Sequence, residues 1–276
     1  EKTNGRVKVT NYFSQSLLKL SDTYKGVASG VADISLYYVG ATPGVQDLNR
    51  IFTLPVVGLP DMTKTAQIYE QLLQDYPELQ QENEKTGTKW IAIRAMPPSQ
   101  LHMVKNDVKT PSELNGKKII ATGPQAAELV NSSGGAAVNV GPPDWYTSLE
   151  KGLAEGHLVH WVAIADFKTL ELFKKHTNFG EGGLGMTAIG FIVNKQKWDS
   201  LPSDVQQVII DTYKWVNEES LKYDVEANKQ AQEEALGAGH TITELNPAEV
   251  QLWADALKPI QEKWVAEIES KGLPAK

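Results

Sequence analysis

Residues 114–164 constrain the fold more than any other stretch of this chain: LNGKKIIATGPQAAELVNSSGGAAVNVGPPDWYTSLEKGLAEGHLVHWVAI. KKIIAT is a short β-branched run, and Gly123-Pro124 turns it into the helical AAELVNSS. Gly134-Gly135 stop that helix ahead of a second strand, AAVNV. GPPDWYTSLEKGLAEG reads as a second helix with Asp144 as its N-cap, and LVHWVAI as a third strand. Strands and helices alternating at this spacing predict a parallel sheet covered by helices. Such sheets take their ligands at the carboxyl ends of the strands, near helix N-termini.

The 276 residues suffice for two domains of ordinary size. No run approaches the roughly 18 apolar residues of a membrane span. A net charge of -7 and a pI near 5.4 argue against a nucleic-acid partner, which would need a basic face. There is no cysteine, which excludes disulfides, thiolate metal sites and cysteine nucleophiles. At the start, EKTN reads as the end of a helix closed at Asn4-Gly5, and residues 6–11 as a strand. A domain rarely begins on the last turn of a helix. A further strand and most of a helix are therefore expected upstream, as is any export signal.

Elsewhere, residues 16–29 read as a helix closed by Gly30. Residues 31–38 read as a strand ending in Tyr37-Tyr38, and residues 40–44 as a loop. Residues 64–76 are an amphipathic helix, continued over 77–86 and ended by Gly87. KWIAIRAM, residues 89–96, is a strand that leaves its sheet at Pro97-Pro98. Residues 99–106 form a second extended piece and 110–116 a short helical turn. Residues 166–175 read as a helix, 178–185 as a Gly-rich turn and 186–193 as a strand. After Pro202 no Gly or Pro appears until Gly237, so a helix of about 34 residues and ~50 Å is expected, longer than one domain is wide. A short strand at 241–245 and a helix at 247–271, capped by Asn246, close the chain.

Three segments, in this order and spacing, resemble one family. They are TNGRVKV, GVADISLYY and the loop to TLPVV; ELNGKKIIATG with GAAVNVGPPDWYTSLEKGLAEG; and IVNKQKWDSLPSDVQQVI leading into the long helix. They are similar to the DctP-type extracytoplasmic solute-binding subunits of TRAP (tripartite ATP-independent periplasmic) transporters. The most recognisable element is the Gly-x-x-(Asp/Glu)-Gly turn, here Gly152-Leu-Ala-Glu-Gly156. The resemblance implies an α/β, two-domain periplasmic binding protein fold, type II-like, with the long helix across both domains. Residues 1–97 and 186–225 would form one domain, 98–185 and 226–276 the other. It also implies a periplasmic, monomeric, non-enzymatic protein with an export signal and no cofactor. Such a protein closes on a small organic solute between its domains and hands it to a membrane permease.

Two departures bear on the solute. The family usually anchors a ligand carboxylate with an arginine in the strand after Leu-x-Gly-x-Lys, a place occupied here by Ile120. An asparagine commonly follows the Asp/Glu-Gly turn by three positions, where this chain has Val159. Loss of a charge-assisted bond in a buried site costs ~1.5–3 kcal/mol, roughly ten- to hundred-fold in affinity. A neutral or aromatic solute, or an atypical pose, is the expectation.

Other candidate contacts are Tyr37 and Tyr38, Thr122 at a helix start, and Trp145 facing the strand ends. His160 and Trp161, adjacent on the third strand and so on opposite faces, and Met186 and Thr187 at a strand start complete the set. Each has an ordinary structural role as its alternative. Arg94 could supply a substitute anchor for an ordinary organic acid; otherwise it is a strand-edge arginine. Of the five histidines only His157 and His160 stand close in sequence, with no acidic or thiol partner, so no metal site is expected. Trp215, Trp253 and Trp264 are expected to pack. Gly-x-Ser-x-Gly, Walker and Gly-x-Gly-x-x-Gly motifs are lacking, which argues against an enzyme. A sensor ectodomain with the same fold is the remaining alternative.

Overall fold

The computed structural model describes residues 3–13, 15–42 and 45–275. The helix end expected at Glu1 and Lys2, and the Gly44 end of the loop from Gly40, lie outside them. The strand expected over residues 6–11 is not formed. Val9 and Phe13 are exposed, and the segment pairs with none of the described strands. An extended stretch becomes a strand only where a neighbour satisfies its amides.

Helix α1 (Thr23–Ala28) is shorter than expected. Leu18 folds back onto Gly26, where a Cβ would overlap its side chain, instead of extending the helix. Strand β1 (Ile34–Tyr38) follows. Helices α2 (Met62–Asp75) and α3 (Pro77–Lys85) are separate, because the residue before a proline leaves the α region. Strands β2 (Thr88–Ala95) and β3 (Ser99–Met103) flank Pro97-Pro98 as expected.

The opening stretch then gives β4 (Lys118–Ala121), α4 (Pro124–Ser132), β5 (Ala136–Val138), α5 (Trp145–Glu150) and β6 (Gly156–His160). The third strand stops at His160, and helix α6 (Trp161–Asp166) starts at the next residue. Strand β7 (Lys175–Asn178) occupies part of the segment expected to be helical at 166–175. Lys168 breaks that helix with a φ of 57°, and pairing with β3 draws the following residues into the sheet. Strand β8 (Ala188–Asn194), helix α7 (Lys195–Asp199), the 35-residue α8 (Ser203–Gly237), β9 (Thr241–Glu244) and α9 (Pro247–Ser270) complete the chain. Asn246 caps α9 as expected, accepting from the Ala248 and Glu249 amides.

The chain divides into two compact units. The first comprises Glu1–Phe52, Ala66–Ala95 and Ala188–Lys222. Its sheet is antiparallel in the order β1-β8-β2. Tyr37 is fully buried there, its ring 5.3 Å from Tyr24 and 5.9 Å from Trp90. Asn217 of α8 donates to the Ile93 carbonyl, beside the irregularity in β2 between Trp90 and Ala92. Trp215, expected to pack, is 57% exposed on the same helix, whereas Trp253 and Trp264 are buried on α9.

The second unit comprises Thr53–Thr65, Met96–Thr187 and Tyr223–Lys276. Its six strands run β5-β4-β6-β3-β7-β9. The β5-β4-β6 trio is parallel as expected, but antiparallel β3 is inserted beside it, and β9 is parallel to β7. One face carries Leu101, Met103, Ile119 and Ala121 into an aliphatic core with Leu129 of α4 and Trp253 and Leu257 of α9. The opposite face forms a second core under α5, α6 and the end of α8, where Ile120, Trp145, Trp161, Phe173 and Ala231 meet.

The Gly152-Leu-Ala-Glu-Gly156 turn is held by backbone demands. Gly152 sits at a φ of 69°, which favours glycine. The Glu155 carboxylate accepts the Lys118 amide at 3.1 Å, and the Glu155 amide donates to the Lys118 carbonyl at 2.7 Å, binding the turn to β4. At Gly156 a Cβ would overlap Met103 Sδ and lie 2.9 Å from the His102 carbonyl oxygen. Gly156→Ala should therefore push β6 off β3 and cost about 1–3 kcal/mol in urea unfolding. Gly141→Ala, whose Cβ meets only Pro143 at 3.7 Å, is the control. Equal stability of the two variants would show that the close β6–β3 approach is not what requires glycine at 156.

Candidate functional site

In the second unit a single row of side chains crosses all six strands. Register pairs Val138 with Ile120, Ile120 with His157, His157 with His102, His102 with His176, and His176 with Ile242. Because side chains alternate between faces, this whole row lies on the face covered by α5 and α6. Trp145, on the first turn of α5, stands edge-on to His157 at 4.5 Å. Trp161, at the start of α6, meets His102 at 4.7 Å and His176 at 4.4 Å.

Two of these histidines, His102 and His176, are joined with His240 in one directed chain. The Val159 carbonyl can only accept, so His102 donates to it through Nε2–H at 3.0 Å. His102 Nδ1 then accepts from His176 Nδ1–H at 2.8 Å, and His176 Nε2 accepts from His240 Nδ1–H at 3.2 Å. Lys174 donates to His240 Nε2 at 3.2 Å. Every ring is neutral and in one tautomer. His157 stands apart: it is fully buried, and neither ring nitrogen has a partner in the protein. The indole N–H of Trp161 is likewise buried without one, whereas that of Trp145 donates to the Val140 carbonyl at 3.1 Å.

Four of the candidate residues are thus brought into one apolar cluster: Ile120, Trp145, Val159 and Trp161. His160 does not share a strand with Trp161. It caps α6, with Nδ1 accepting the Ala163 amide at 3.0 Å. Asp144 precedes α5 without a side-chain cap, because its own backbone is already helical after the turn Pro142–Asp144. Thr122 is exposed after β4. Met186 is buried, and the Thr187 carbonyl accepts from the Met96 amide at 2.8 Å. Tyr37, Tyr38 and Arg94 belong to the first unit. Burial pushes the Tyr37 phenol up to about 12. Tyr38 is half-buried, and half-buried Arg94 donates to the Ala95 carbonyl. The histidine row escaped sequence reading, because His102 and His176 lie on strands far apart in the chain and only register aligns them. Among the described residues no group of three or more His, Cys, Asp or Glu could hold a metal ion.

The family model described as bacterial extracellular solute-binding protein, family 7 (DctP), matches residues 1–267. The chain belongs to the DctP family. A periplasmic C4-dicarboxylate-binding DctP of Vibrio cholerae is 28% identical over 126 residues, 45% of this chain and 36% of that protein, so the match spans about a third of its length. A TRAP periplasmic solute-binding protein from Desulfovibrio salexigens is 25% identical with a TM-score of 0.82, covering 99% of this chain and 83% of that one. A marine-metagenome TRAP solute-binding protein, specific for aromatic acid ligands and solved with 3-hydroxybenzoate, is 25% identical with a TM-score of 0.83, covering 99% and 85%. These matches establish the two-domain α/β fold with its long helix. DctP proteins are periplasmic binding proteins of transporters, not enzymes. No helix among the described residues is long and apolar enough to cross a membrane.

The buried rings should make this DctP fold acid-sensitive. Burial, and then the neighbouring histidines, hold His102 well below 6.5, and burial holds His157 and His176 at about 3. In the unfolded chain the same rings take up protons near pH 6.5. Their stabilisation is therefore whole above that pH and drains away as pH falls from 6.5 towards about 3. Urea unfolding should show stability falling below pH 6.5, by up to about 1.4 kcal/mol per pH unit for each ring. Unchanged stability down to about pH 5 would mean that the rings are not buried neutral.

Proposed function

We propose that this chain is the solute-capturing subunit of a TRAP transporter, delivering a small aromatic solute to the membrane permease, and that this solute is not gripped by a charged anchor. The observation that carries the reading is the apolar cluster of Ile120, Trp145, Val159 and Trp161. Ile120 and Val159 stand where the family resemblance places arginine and asparagine. Ile120 is fully buried, and its row neighbours are Val138 and a neutral histidine. A carboxylate brought there would lose its hydration with no cation to replace it. The likeness to a protein specific for aromatic acids supports the ring, while the residues here argue against the acid.

Thermal shift separates the two features, because a ligand that binds only the folded state raises Tm. Meta-cresol should stabilise the protein at least as well as 3-hydroxybenzoate, and succinate should not. Stabilisation by carboxylates alone would overturn the uncharged reading and point to another anchor, such as Arg94. No shift from any aromatic compound would overturn the aromatic reading. Ile120→Arg, where it folds, should reverse the order of meta-cresol and 3-hydroxybenzoate.

A further inference from the structure

We propose that Asn4 is a covalent modification site: its carboxamide converts spontaneously to aspartate and isoaspartate, while Asn115, in the same Asn-Gly sequence, is protected by the fold. In this reaction the amide nitrogen of the following residue bonds to the asparagine Cγ, the Cγ–Nδ2 bond breaks and ammonia leaves. Water then opens the cyclic imide at either carbonyl, giving aspartate or isoaspartate. A glycine in the following place leaves the attacking nitrogen uncrowded, because it has no side chain. Only Asn4-Gly5 and Asn115-Gly116 offer that pair in this chain. Both pairs are exposed, so water reaches each. What separates them is whether the glycine nitrogen and the carboxamide are free to meet.

At Gly116 the nitrogen is engaged. Its N–H donates to the Gly134 carbonyl at 2.9 Å, and the Lys117 amide donates to the Leu114 carbonyl at 2.9 Å, which closes the turn around Asn115. The Asn115 carboxamide packs on Gly134, its Oδ1 2.6 Å from where a Cβ on that glycine would lie. Reaction there would break a backbone hydrogen bond and pull the side chain from its place. At Asn4 nothing comparable holds the reactants. The turn is closed by the Arg6 amide donating to the Thr3 carbonyl at 3.1 Å, a bond that leaves the Gly5 nitrogen out. Among the described residues neither the Gly5 amide nor the Asn4 carboxamide has a hydrogen-bond partner. The product bears on the first unit. Arg6 also donates through Nε to the Thr3 carbonyl at 3.2 Å and pairs with Asp204 in the first turn of α8. A carboxylate at position 4 adds an anion within the same turn as that guanidinium, and isoaspartate lengthens the backbone there.

Holding the intact protein at mildly alkaline pH and mapping its peptides by mass spectrometry tests this. The amide-to-acid mass change should build up at Asn4 about tenfold faster than at Asn115, the rate equivalent of one hydrogen bond. In urea, where neither turn survives, the two sites should react alike. Asn4→Ser should abolish the early conversion and leave that at Asn115 as slow as before. No conversion at Asn4, or equal conversion at both sites in the folded protein, overturns the proposal. A preference for Asn4 that is undiminished in urea overturns the protection of Asn115 by the fold.

Discussion

The second unit depends on a hydrogen bond that cannot be reversed. The Val159 carbonyl accepts and never donates, and this fixes the proton on His102 Nε2. Each later link then has only one consistent direction, through His176 and His240 to Lys174. The three linked rings can be buried because their polar atoms are satisfied in sequence, and they stay satisfied only while each ring is neutral. One added proton on His102 or His176 would set two donors against each other in a buried place. The same condition keeps the covered face free of net charge, which suits the apolar residues around it.

That constraint explains the neighbours. Trp161 can sit against His102 and His176 because those rings present neutral faces and edges. His160, the last residue of β6, caps α6 and so turns Trp161 onto the row. The turn at Gly152 and Gly156 places β6 close enough to β3 for His157 and His102 to stand side by side. The Glu155 clamp on Lys118 aligns β4 with β6, which puts Ile120 next to His157. The segment that carries the resemblance to the family is therefore a device for register.

Local patterns made much of this legible in the sequence. Short apolar strands with a Gly-Pro turn and Gly-Gly stop marked the parallel trio, the absence of Gly and Pro marked α8, and the Asn246 cap marked α9. The failures share one cause, which is dependence on distant partners. Residues 6–11 have strand composition but no described neighbour to pair with. Residues 175–178 have modest strand character, yet they become β7 because β3 and β9 flank them. Trp161 looked like the next strand residue, and only the cap from His160 makes it the start of a helix. Ile120 and Val159 were singled out by comparison with the family, and Trp145 and Trp161 as aromatics near the strand ends. Their meeting in one cluster needed the sheet.

His157 shows why buried polar groups of this kind hide from sequence. As a residue after a glycine turn it has nothing to distinguish it from a surface histidine. Its meaning comes from subtraction. Four other histidines lie within the same unit, and the three in the connected chain have both nitrogens occupied. What remains is one neutral ring with its hydrogen-bonding capacity intact, placed beside Ile120 where the family resemblance puts a cation. Replacing a cation by an aliphatic side chain removes affinity for carboxylates without creating affinity for anything else.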